Sequence, residues 1–299
     1  MRRLVRHLVT ALAVALAACG HHTADAAETI AAAPSDPFQP TAFSVEVSGH
    51  GRPIIFIPGL GCPGALWRDT VAHLDGYESH VLTLAGFAGQ PAIDRPLAAT
   101  TRAELARYVR DRKLDHPIIV GHSMGGFIAY WLAAAEPRLV GPTIIVDSGA
   151  SLGTGDTDAD AETGRAARAL WRDASDAQFA QQVHDIFSQM TAKPDLLAPL
   201  LDSVARSDRR AIGDAIYEQY TTDLRPMLTA IRSPVLVVLA DGSLKDGMRA
   251  HATRVPDHQV VVVPGAKHFV MIDDPQTFYA TIDAFLAAHP AQPASVAAL

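Results

Sequence analysis

Six short apolar runs constrain this chain more than any other feature of it: Pro53–Ile57, His80–Leu84, Pro117–Val120, Thr143–Val146, Pro234–Leu239 and Gln259–Val263. Each is too brief for a helix and rich in β-branched residues, which is the pattern of strands covered on both faces. Between them lie stretches with helical spacing. Thr101–Lys113 places Leu105, Tyr108, Val109 and Arg112 on one face, and Gly126–Ala135 reads as a second helix. A last helix, announced by Asp273-Asp274-Pro275, carries Phe278, Ile282, Phe285 and Leu286. Strand and helix in alternation predict an α/β architecture, a mostly parallel sheet flanked by helices.

The alternation stops near Ser148 and resumes at Ser233. The interval carries only helical patterns, with one apolar stripe at Phe179, Val183, Ile186, Phe187 and Met190 and another at Leu196, Leu197, Leu200, Leu201 and Val204. An inserted helical cap over 149–232 is expected, dividing a core into 41–148 and 233–289 and leaving 290–299 as a tail. An insertion there can roof the crevice at the strand ends, where open α/β sheets bind ligands.

Arg2, Arg3 and Arg6 precede an uncharged stretch, Leu8 to Ala18, that is too short to span a bilayer. Residues 1–18 therefore read as an export signal. Its end, Leu16-Ala17-Ala18-Cys19, resembles the bacterial lipobox, which implies a lipid anchor at Cys19, a polar tether over 19–40 and a place in the cell envelope facing the periplasm. Loss of the signal would move the formal net charge from −7 to −10, three arginines and no acid being removed. So acidic a chain argues against nucleic-acid binding. With Cys19 lipidated, Cys62 has no intramolecular partner, and no disulfide framework is implied.

The chemistry is concentrated in Gly121-His122-Ser123-Met124-Gly125, which lies between the run Pro117–Val120 and the helix from Gly126. A strand that turns sharply into a helix exposes its turn residue at the carboxyl edge of the sheet, and glycines on either side relieve the crowding. Ser123 is thus the candidate nucleophile. A serine hydroxyl needs a base within hydrogen-bond reach. His268, in PGAKHFVMIDDP after the last strand, is the candidate. His122 is expected to point away and pack, and His21 and His22 fall in the tether.

On these residues, and from about 43 to 289, the chain resembles the α/β-hydrolase superfamily of serine hydrolases, whose catalytic histidine sits in the last loop in a comparable G-x-x-H-F pattern. The resemblance implies two oxyanion donors, the amide of Met124 after the nucleophile and that of Leu60 in PGLGCPGALW. Cys62 beside it reads as a buried, inert thiol. The same loop contains Gly59-Leu60-Gly61-Cys62-Pro63-Gly64, a pattern shared with dinucleotide sites. The acidic residue such sites need about twenty residues later is missing, since the chain there reads Thr83-Leu84-Ala85-Gly86. No metal or organic cofactor is implied.

The acid departs from the commonest family pattern. The slot about nine residues after Pro234 holds Ser243, leaving Asp241 two residues early and Asp246 three late. Another position in the superfamily, the end of the strand after the nucleophile helix, holds Asp147. Asp147 and the alternative acid Asp241 both stand as candidates. The expected activity is cleavage of a small-molecule carboxylic ester through an acyl-enzyme. Amide, thioester and carbon–carbon hydrolysis stay open, because fold and triad do not fix the acyl group. The reading from another class is a catalytically silent binding or accessory lipoprotein, motivated by the empty usual slot.

Overall fold

A computed structural model describes residues 38–291. The expected signal segment, most of the tether with Cys19, and the tail from 292 lie outside the described residues. Seven strands form one sheet in the order β1-β3-β2-β4-β5-β6-β7. They are β1 (Phe43–Gly49), β2 (Arg52–Ile57), β3 (Tyr77–Leu84), β4 (Ile118–His122), β5 (Thr143–Val146), β6 (Val235–Ala240) and β7 (His258–Val263). All neighbours pair in parallel except β1, which runs antiparallel to β3. Among the described residues ten α-helices accompany them: α1 (Arg68–His73), α2 (Leu97–Asp111), α3 (Met124–Ala135), α4 (Thr157–Arg172), α5 (Asp176–Gln189), α6 (Pro194–Val204), α7 (Arg209–Thr221), α8 (Lys245–Ala252), α9 (Val270–Asp273) and α10 (Pro275–Ala288).

Three adjacent inner strands, β4, β5 and β6, are buried at every residue, as their unbroken apolar runs require. The expectation of burial on both faces fails for two other strands. β7 is an edge strand in which only Val263 is fully covered, and β3 alternates toward its end because one of its neighbours is the exposed strand β1. No apolar run announces β1 itself: FSVEVSG is mostly exposed, and its place is set by seven paired positions along β3.

Helices α4 to α7 fill the interval between β5 and β6. Their starts are locally encoded. Asp156 and Asp208 accept backbone N–H groups at the head of α4 and α7, and Ser175 forms a capping box with Gln178 on α5. α4 and α7 approach through glycines: a Cβ on Gly213 would stand 2.7 Å from the Arg168 carbonyl oxygen, and one on Gly164 would stand 3.1 Å from Tyr217. Phe179, Val183 and Phe187 are buried as expected. Leu196 departs from its stripe and is 60% exposed, so Leu197, Leu201 and Val204 form the packing face of α6.

Because the inner strands are parallel, the loops after β2, β4, β5 and β7 all open at one sheet edge. The chain passes from β2 to β3 on one side and then to β4 on the other, which places the carboxyl ends of β2 and β4 at a topological switch point.

Candidate active site

Ser123 connects β4 to α3 with φ 53° and ψ −122°, a conformation L-residues rarely hold. The turn closes only because its flanks lack side chains. A Cβ at Gly121 would lie 2.2 Å from the Gly125 carbonyl oxygen, and one at Gly125 would lie 2.1 Å from that of Ile57. Hydrogen bonds hold the strained residue on both sides. Its N–H donates to Val146 O at 3.0 Å, and its carbonyl accepts from Gly126 N at 2.8 Å, Phe127 N at 3.1 Å and Ser148 Oγ at 2.6 Å.

Asp147 ends β5 with φ 43°. Its carboxylate is buried and divided between two donors. Oδ1 accepts from Ala240 N at 2.8 Å, and Oδ2 accepts from His268 Nδ1 at 2.6 Å. A carboxylate can only accept, so Nδ1 carries the proton and Nε2 of a neutral His268 keeps a free lone pair. Asp241 is elsewhere occupied. Lys245 Nζ stands 2.5 Å from its Oδ1, and that bond holds its carboxyl below the ordinary range. Of the two candidate acids, the structure brings Asp147 to His268 and leaves Asp241 on a lysine.

His122 is buried and packed as expected, but it does not point clear of the site: it is among the residues lining the cavity that Ser123 lines, and it makes a bond that sequence reasoning missed. Its Nε2 donates to the His268 carbonyl at 3.0 Å, and its ring lies against His268 and Phe269 at centroid distances of 4.6 and 5.0 Å. Burial first, and the neighbouring His268 second, push His122 well below the usual histidine range, so it stays a neutral donor. Cys62 is buried and its thiol is pushed up to about 12 by burial, which leaves it an unreactive apolar filler.

The loop carrying Leu60 presses on the elbow: a Cβ on Gly59 would stand 3.1 Å from Ser123 Cβ. Among the described residues neither the Leu60 nor the Met124 amide donates a hydrogen bond elsewhere. Ser123, His268 and Asp147 line one cavity of about 510 Å³, whose apolar walls include Phe127, Trp171, Ile186, Phe187, Met190 and Ile216. Ser123 and His268 share that cavity without being hydrogen-bonded to each other. Such contacts tighten when substrate arrives. Besides His122, Ala240 and Ser148 support the site through contacts that no local pattern announces.

A serine held at a strand-to-helix elbow, with a histidine and a carboxylate from later strand ends beside it, defines a hydrolase-type site on an α/β sheet. The chain belongs to the alpha/beta hydrolase family, whose profile matches residues 54–281. Among curated proteins it is similar to pimeloyl-[acyl-carrier protein] methyl ester esterase of Edwardsiella ictaluri, 27% identical over 256 residues that cover 78% of this chain and 93% of that one. Among solved structures it is similar to the enol-lactonase of Burkholderia xenovorans, with a TM-score of 0.69 at 19% identity over 82% and 96% of the two chains. A thermophilic esterase from Thermogutta terrifontis gives 0.71 at 21% identity over 83% and 94%. At these identities the two structures speak for the fold alone.

Proposed function

We propose that this protein hydrolyses carboxylic esters through an acyl-enzyme on Ser123. The observation that carries the reading is the short His268–Asp147 bond inside a cavity that Ser123 also lines. Ser123 Oγ attacks the ester carbonyl as His268 Nε2 takes its proton, and Asp147 steadies the imidazolium that forms. The Leu60 and Met124 amides hold the oxyanion. Collapse expels the alcohol, which receives the proton from His268, and water repeats the sequence to release the acid. The named curated relative is a methyl ester esterase, which favours esters over the other acyl groups.

The substrate we infer is uncharged near the reacting bond. Asp147 is paired with His268 and Asp241 with Lys245, whereas the exposed Lys267 ammonium, hydrogen-bonded to the neutral Gln189 carbonyl at 3.2 Å, keeps its charge away from the apolar wall. The wall over Ser123, with Phe127, Trp171, Ile186 and Phe187, is apolar, and a charged acyl group packed against it would lose its hydration.

The expected result is labelling of the protein by a fluorophosphonate, abolished in Ser123→Ala, together with faster turnover of p-nitrophenyl hexanoate than of a p-nitrophenyl succinate half-ester. Labelling that survives Ser123→Ala would refute the nucleophile assignment, and no labelling at all would favour the silent binding reading. On residues 1–19 alone we further propose export and lipidation at Cys19. Expression of the full chain in a bacterium fed labelled palmitate should give a labelled protein, and Cys19→Ser an unlabelled one. Equal labelling of the two would exclude this anchor.

A further inference from the structure

The pair Asp273-Asp274 ahead of Pro275 splits into two unlike roles. Asp274 is the cap that the sequence announces, accepting from Thr277 N at 3.1 Å. Asp273 is buried, and its carboxylate takes three donors, one from the loop six residues before it and two from a segment more than eighty residues away. Oδ2 accepts from Lys267 N at 2.7 Å, while Oδ1 accepts from Thr191 Oγ1 at 2.5 Å and Ala192 N at 2.9 Å. Thr191 is itself buried, and its hydroxyl accepts from Lys193 N at 3.0 Å.

These partners matter because of what adjoins them. Lys267 immediately precedes His268. Thr191 and Ala192 form the turn between α5 and α6, directly after Gln189 and Met190, which line the cavity. Two more bonds join the same segments, from Phe269 N to Met190 O at 3.3 Å and from Lys267 Nζ to Gln189 O at 3.2 Å. The rings of Phe187 and Phe269 lie 6.1 Å apart. None of the three donors at Asp273 is a cation, so its buried charge is held by N–H and O–H dipoles alone. Parting the two segments would leave that charge short of donors, a costly state in an interior.

We propose that Asp273 is a positioning residue, which locks the loop bearing His268 to the α5–α6 wall of the cavity so that acyl-group fit and base placement are set together. The proposal rests on the reading of His268 as the base. Asp273→Asn keeps the shape but turns an NH₂ toward donors, and Thr191→Val removes one of the two wall-side bonds to Asp273, leaving that from Ala192 N, together with the acceptor of Lys193 N.

With p-nitrophenyl acetate and octanoate as probes, Asp273→Asn should lower kcat by about 10- to 100-fold, the scale of a small misplacement of a catalytic group. Both variants should change the octanoate-to-acetate ratio of kcat/KM by about threefold or more, and the double variant should change it less than the two single effects combined. Asp274→Ala, which removes only the α10 cap, should lower the melting temperature and leave kcat and the ratio unchanged. A folded Asp273→Asn with parental kcat and ratio would overturn the proposal. So would Thr191→Val with a parental ratio, which decides the matter if Asp273→Asn does not fold. A parent protein with no turnover and no fluorophosphonate labelling would instead remove the ester-hydrolase reading, and this proposal with it.

Discussion

Two residues of the proposed reacting centre, Ser123 and Asp147, hold positive φ without being glycine. Each conformation costs about 1–3 kcal/mol by itself and persists where neighbours over-determine it. For Ser123 the neighbours are the bonds to both of its peptide groups. For Asp147 they are Val238 O, which accepts its N–H at 2.8 Å, and the two donors on its carboxylate. Asp147→Asn puts an amide where Ala240 N–H and the His268 Nδ1 proton both need acceptors, so the wrong histidine tautomer is favoured. We expect kcat for a p-nitrophenyl ester to fall by about 10⁴-fold in Asp147→Asn. Asp241→Asn, which breaks a lysine contact at the cavity edge, should stay near the parent. Comparable losses in the two purified variants would mean that Asp147 is not the acid that orients His268. Both aspartates end apolar strands, and no local pattern separates them. The difference lies in which way each side chain leaves its strand and what it meets there.

Among the elements, β1 was the least legible. It shows no apolar run, and what anchors its entry is a side chain more than fifty residues away. Glu104 on α2 accepts from Thr41 N at 2.6 Å, Thr41 Oγ1 at 2.8 Å and Ala42 N at 2.8 Å. Burial opposes the charge on Glu104, but the hydrogen bonds from Ala42 and Thr41, with Arg95 nearby, outweigh it and hold the carboxyl below its ordinary value. A depressed carboxyl stabilises the fold above the unfolded-state pKa, and the contribution is lost as pH falls through the lower folded value. Glu104→Gln should therefore cost about 1–2 kcal/mol at pH 7, a modest figure because the group is partly open to solvent. The deficit should shrink in urea melts near pH 3, below the usual carboxylate range. An equal deficit at both pH values would show that the charge on Glu104 contributes nothing. The helices were more legible than β1, because caps such as Ser175 with Gln178 and Asp274 before Pro275 act within one turn of themselves.

At the scale of the whole molecule, the parallel order of the sheet does the assembling. It delivers Leu60, Ser123, Asp147 and His268 from four loops to one edge, and α4 and α5 bring Trp171, Ile186 and Phe187 over them as an apolar wall. The alternation of strand-like and helix-like segments, the strained serine between Gly121 and Gly125, and the histidine of the last loop were determined by the sequence alone, since each follows from periodicity or from backbone crowding within a few residues. Tertiary structure decided the rest: Asp147 rather than Asp241 at His268, the antiparallel seat of β1, the donor role of His122, and the grip of Asp273 on two segments. The bonds of Asp147 to His268, of His122 to His268 and of Thr191 to Asp273 join residues 121, 146 and 82 positions apart. Which partner a side chain meets over such distances depends on strand order, strand ends and packing, and none of these has a local signature.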